Sequence, residues 1–227
     1  VEKRKKSRRR KLLIWLAVDV AIAAVVIALL VYKPSRYHPV VPPPNPKGET
    51  VHPYLHQDLG STFYNKAQEQ KPFEMVVLDD KLNEAIADKK WQSEGVGLSA
   101  PQVFFVPGQV LLMGTANLEG ARFIVTVELK PQMTEKGDLD LVVQKVKVGA
   151  MNVTPLARMM GRKMFQEQIN RGGVDMDNLG TKIAASLLNG QPFEPFVEID
   201  DKWVQLKSVD ITQGKLTAQF IPAKPRK

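Results

Sequence analysis

From Leu12 to Tyr32 every residue is apolar except Asp19, a run of 21 residues with no alternation and no amphipathic period. At 1.5 Å per residue a helix of that length reaches about 31 Å, close to the hydrocarbon thickness of a bilayer. The pattern predicts a transmembrane helix over 12–32. A secretory signal has a shorter apolar region and a small-residue cleavage site after it, which favours an uncleaved anchor here. Trp15 and Tyr32 stand near the two ends, where amphipathic rings favour the membrane interface.

Beyond Lys33 the pattern stops. Seven prolines fall between 33 and 53, at 34, 39, 42, 43, 44, 46 and 53. Pro42-Pro43-Pro44 predicts a polyproline II segment, so 33–53 reads as a semi-rigid stalk that sets the next domain tens of ångströms from the bilayer, at about 3.1 Å per residue.

From Tyr54 apolar and polar positions alternate in short runs. Phe73 to Leu78 predicts a strand, and Asp79 or Asp80 caps a short helix from Lys81 to Trp91 carrying Leu82, Ala85 and Ile86. Val103–Val106, the Pro107-Gly108 turn and Val110–Met113 spell a hairpin. Phe123, Val125, Val127 and Leu129 share one phase, as do Leu139, Leu141 and Val143 after a turn at Lys136-Gly137. Val146 and Val148 fall in the opposite phase from that set, which predicts a bulge or strand end near Gln144. Thr154 caps Pro155 at the head of a helix that runs to about Asn170, and a second helix from Asp175 or Asp177 ends at Asn189-Gly190. Strands return at 196–199, 203–211 and 215–221, with an Asp200-Asp201 turn. Segregated helices and strands predict an α+β domain over 54–227: one curved antiparallel sheet packed with two to three helices.

Composition sharpens the picture at one point. The formal charge is +8, yet residues 2–11 hold eight basic groups and one acid, leaving +1 for everything else. This basic arm is expected to stay cytoplasmic while the remainder is exported, periplasmic in a two-membrane envelope. A near-neutral body argues against nucleic-acid binding. The chain has no cysteine, and its three histidines, His38, His52 and His56, all lie in the stalk or at its exit. No thiol nucleophile, metal set or cofactor fingerprint emerges, so the expected domain is non-catalytic, without metal or cofactor. Asp175-x-Asp177 with Gly180 has part of a calcium-loop spacing, but Leu179 and Ser186 occupy ligand positions, and a helix cap explains the acids better.

Two features carry candidate sites. In the span, Ala17, Ala21, Ala24 and Ala28 form a small-residue stripe, with Asp19 about 200° from Ala17 on the helical wheel. Both suit contact with a transmembrane partner or a second copy. In the domain, Phe104, Phe105 and Leu112 belong to strands apolar on both faces, which lie under a second layer or line a groove. Leu156, Met160 and Met164 repeat at helical spacing beside Met159, and half of the eight methionines fall within 151–164. That stripe packs on the domain's own sheet or receives an apolar ligand such as an acyl chain, with Arg158, Arg162 and Lys163 placed to hold an anionic headgroup.

The order of these residues resembles a family. Val76-Val77 leading into Leu82-Asn83, Phe123-Ile-Val-Thr-Val-Glu-Leu-Lys-Pro131, Gly137-Asp-Leu-Asp-Leu, Val146-Lys-Val-Gly149 and Pro155 to Met160 are similar to the YpmS-like single-span extracytoplasmic proteins. Pro195-Phe-Val-Glu-Ile and Trp203-Val-Gln-Leu resemble that family's closing strands. The resemblance covers 73–222 and implies a membrane-anchored outer domain, a helix against a curved sheet, and no catalytic residues to carry over. The functional expectation is a membrane-anchored domain that binds lipid or another apolar ligand in the cell envelope. The alternative is a structural subunit of a larger membrane complex.

Overall fold

The computed structural model describes residues 2–39, 52–88, 98–118, 120–170, 175 and 178–224. The polyproline segment and the end of the predicted helix at Trp91 lie outside them. The helix α1 spans Glu2–Leu30, and its stretch Lys11–Leu30 is long and apolar enough to cross a bilayer, with no residue of it buried among the described residues. A π-helical stretch Tyr54–Gly60 continues into α2 (Ser61–Gln68), followed by β1 (Phe73–Leu78) and α3 (Asp79–Asp88). A meander comes next: β2 (Leu98–Val106), β3 (Gln109–Leu118), β4 (Ala121–Met133), β5 (Leu139–Val148) and the short β6 (Met151–Asn152). Two helices, α4 (Thr154–Asn170) and α5 (Leu179–Asn189), lead into β7 (Phe196–Ile199), β8 (Lys202–Thr212) and β9 (Lys215–Pro222).

The fold is α+β, but it carries two antiparallel sheets where a single curved one was expected. One is ordered β1-β9-β8-β7 and the other β2-β3-β4-β5-β6. Helices make both crossings between them: α3 carries the chain from β1 to β2, and α4 with α5 returns it from β6 to β7. The sequence lists strands in order but does not say that the first joins the last three. That pairing brings Phe73 opposite Phe220 across the whole length of the domain.

The core lies between the sheets. Phe105, Val110 and Leu129 from the five-stranded sheet meet Ile211 from the four-stranded one, and Leu82 of α3 and Leu187 of α5 close its sides. Strand alternation then places Phe104 on the outer face while its neighbour Phe105 is buried. The predicted bulge is present: Glu128 pairs with Lys145 and Leu129 with Val143, so Gln144 is the extra residue that switches the phase of β5. At the exposed edge of β2, Asn83 takes the place of a neighbouring strand, donating to the Val103 carbonyl and accepting from its N–H, both at 2.7 Å. Asp79 accepts from the Phe105 N–H at 3.0 Å in the same way. The second helix is capped by Asn178, whose side chain accepts from the Gly180 N–H, in place of the expected aspartates. Asp200 and Asp201, at φ of 46° and 64°, form the two-residue hairpin turn.

The expected stalk does not begin as a free spacer. Residues 31–39 lie as a strap across the outer face of the five-stranded sheet. Tyr37 is 1% exposed, its hydroxyl donating to the Ala100 carbonyl and lying 2.8 Å from Thr115 Oγ1. Gln102 donates to the His38 carbonyl at 2.6 Å. The end of α1 is held as well: the Ala150 N–H donates to the Leu29 carbonyl at 2.8 Å. Gly149, at φ 58°, passes so close that a Cβ there would stand 2.3 Å from the Leu29 oxygen and 2.4 Å from that of Leu30. Gly149→Ala is therefore expected to lever the helix end off the sheet. Left-handed backbone costs a non-glycine residue about 1–2 kcal/mol, and the Ala150 hydrogen bond adds about 1 kcal/mol. Spin labels on α1 and β5 should report a broadened distance distribution in the variant, and an unchanged narrow one would refute this latch.

Candidate functional site

The helix α4 is inverted relative to the usual amphipathic rule. Its buried side is made of small and polar residues, Thr154, Ala157 and Gly161, with Phe165 as the single large apolar anchor. The Thr154 hydroxyl accepts from the Val146 N–H at 2.8 Å, fastening the helix start to β5. Gly161 lets α5 approach: a Cβ there would lie 2.7 Å from Leu188 Cδ2. The helix therefore docks through close backbone contact, which leaves its large apolar side chains elsewhere.

They face outward. Leu156 is 52% exposed, Met159 63%, Met160 53% and Met164 59%. At 100° per residue these four fall within about 140° of arc, opposite Phe165. The sequence left open whether this stripe packed on the sheet or faced a ligand, and the fold turns it away from the sheet. Single exposed apolar residues are ordinary, whereas four on one helix face form a contiguous patch of the kind that marks a contact surface.

Lys163 sits within that face, and Arg158 and Arg162 flank its buried margin. Arg158 donates to the Val143 carbonyl at 2.5 Å and Arg162 to the Leu188 carbonyl at 3.3 Å, so both guanidinium groups fasten α4 to its neighbours. With Glu167 as the one acid, α4 carries a net positive charge beside its apolar face.

The other candidates do not join this surface. Phe105 lies in the intersheet core, Leu112 packs against it, and Phe104 is half-buried on the outer face. The strands apolar on both faces thus lie under layers, the second sheet on one side and the strap near the other. Ala17, Asp19, Ala21, Ala24 and Ala28 are all exposed on α1. Among the described residues no group of three or more potential metal ligands comes together. Tyr64 titrates above its ordinary value because its hydroxyl donates to Asp200 at 2.6 Å, and Lys81 does so through Glu84 at 3.0 Å. Both are exposed surface pairs rather than groups tuned in a cleft.

Sequence reasoning missed the strap and the helix latch. The signals were a lone tyrosine, Tyr37, among prolines and a glycine, Gly149, at a strand end, and neither names its distant partner. The chain matches no family model, no curated protein and no solved structure.

Proposed function

We propose that this chain is a single-span membrane protein whose α+β domain, on the exported side, is non-catalytic and engages bilayer lipid through α4. The observation that carries this reading is the outward apolar face of Leu156, Met159, Met160 and Met164. Its place in the chain supports a lipid partner. Ala150, bonded to the end of α1, precedes Thr154 by four residues. At about 3.3 Å per residue, at most about 13 Å of backbone separates the end of the span from the start of α4. An apolar helix face with cationic residues at that distance from a membrane exit suits an interfacial helix on anionic headgroups. The basic arm preceding the span supports an inward amino terminus. The resemblance to YpmS-like proteins points the same way.

Photoactivatable phosphatidylglycerol in membranes holding the full chain tests this. Crosslinked peptides should map to α4 as well as α1, and crosslinks confined to α1 would refute it.

A second reading, a subunit of a membrane complex, draws on Asp19. Its carboxylate lies near the middle of a stretch that is unburied among the described residues, where a charge costs about 2.5–3.5 kcal/mol on insertion scales. If Asp19 meets a polar partner in a neighbouring helix, Asp19→Leu should abolish stoichiometric co-purification of that partner in mild detergent. Unchanged recovery would remove the reading.

A further inference from the structure

Beneath the strap, four side chains stand in one transverse row on the outer face of the five-stranded sheet. Gln102 on β2 pairs with Met113 on β3, Met113 with Thr126 on β4, and Thr126 with Lys147 on β5. Strap and neighbours leave Gln102 and Met113 5% exposed and Thr126 6%. Three of the four are polar, and all but Lys147 are buried under a short covering segment. Two of its atoms, Gln102 Oε1 and Thr126 Oγ1, are buried with no hydrogen-bond partner among the described residues. Native folds rarely leave such groups unmet, and each one calls for a missing partner.

A cavity adjoins Thr126. About 400 Å³ lies between the strap and the sheet, lined among others by Tyr32, Pro34, Arg36, Thr126, Glu128 and Lys147. That volume suits a small ligand or a headgroup. Lys147 Nζ is 2.5 Å from Glu128 Oε1, so one lysine charge is largely balanced and Arg36 leaves a net positive charge. Leu111 and Met113 supply an apolar wall. Cation, hydroxyl donor and apolar wall together fit a phosphodiester attached to hydrocarbon. The location fits as well: the strap residues follow the last turn of α1, and Gly149 and Ala150, which grip that turn, also line the cavity.

We infer that this cavity binds the phosphate of a bilayer glycerophospholipid, with Arg36 facing its charge, the Thr126 hydroxyl donating to it, and Lys147 held beside it by Glu128. The inference rests on the membrane-anchored reading and gives it a defined headgroup site, separate from the face of α4.

The test uses the full chain in neutral detergent, titrated with dihexanoyl phosphatidylglycerol below its micellar concentration and followed by native mass spectrometry. One lipid should bind per chain. Arg36→Gln should weaken binding tenfold or more, the scale of a lost hydrogen bond to a charged group. Thr126→Val should weaken it about fivefold while leaving the lipid-free unfolding temperature equal or higher, because an unpaired buried hydroxyl has been removed. Binding unchanged in both variants overturns the proposal. So does a lower lipid-free unfolding temperature for Thr126→Val, which would make the hydroxyl a structural group. If inorganic phosphate displaces the lipid at equal concentration, the site takes a free anion and the lipid assignment falls. Met159→Glu with Met160→Glu should leave the loss of binding caused by Arg36→Gln unmoved, so a failure here and a failure of the α4 reading are separable.

Discussion

Tyr37→Ala is expected to destabilise the folded domain by about 3–5 kcal/mol, the range for truncating a buried aromatic side chain. The ring is 1% exposed, and its hydroxyl bonds the Ala100 carbonyl, where β2 takes a left-handed step at φ 49°, and lies against Thr115. Loss of the ring opens a void and leaves those groups without their partner. Tyr37→Phe keeps the packing and should cost only about 1 kcal/mol, the net worth of a typical hydrogen bond. Thermal unfolding measures both. Trypsin adds a structural readout, because Arg36 lies in the strap and should be cut faster in the alanine variant, whereas Lys33, followed by Pro34, resists the enzyme throughout. An unfolding temperature and cleavage rate equal to wild type would mean that the strap is not fastened as described.

Met159→Glu combined with Met160→Glu is expected to detach α4 from the bilayer with little change in the fold. Each buried methionine contributes about 1.5–3 kcal/mol, so replacing two by carboxylates removes at least about 3 kcal/mol of interfacial attraction. Repulsion from anionic headgroups adds to that loss. Stability in detergent should stay within about 0.5 kcal/mol, as for other surface substitutions, because both side chains are more than half exposed. The phosphatidylglycerol crosslinks on α4 should disappear while those on α1 persist. Persistence of the α4 crosslinks would assign them to a different surface, and a collapse in stability would place these methionines in a core.

What could be read from the chain was local. The apolar run to Tyr32, the hairpin at Pro107-Gly108 and the phase change at Gln144 are each written in one unbroken segment, and the structure contains them; the helix also starts at Thr154, but the Thr154 hydroxyl bonds the Val146 N–H of β5 instead of capping the helix. The division into two sheets was not legible, because it depends on β1 pairing with β9, a contact between Phe73 and Phe220 that no local pattern encodes. The strap failed for a related reason: proline content predicts extension, and extension is equally compatible with a free stalk and a segment lying on a sheet. Tyr37 decides between them through partners at Ala100 and Thr115. The face of α4 was half legible. Its period marked an apolar stripe, but its direction turned on small residues, Ala157 and Gly161, that let the opposite side pack closely.

The central claim is that the outward face of α4 lies in a lipid interface. The chain lacks cysteine, so Met160→Cys introduces a single site for a nitroxide label in the full protein, reconstituted in bilayers containing phosphatidylglycerol. Relaxation by dissolved oxygen, which concentrates in hydrocarbon, is compared with relaxation by a neutral water-soluble nickel chelate. A label at 160 should respond more to oxygen, and one at Gln168, off the apolar stripe, more to nickel. Dominant nickel accessibility at both positions would place α4 in water and contradict the account.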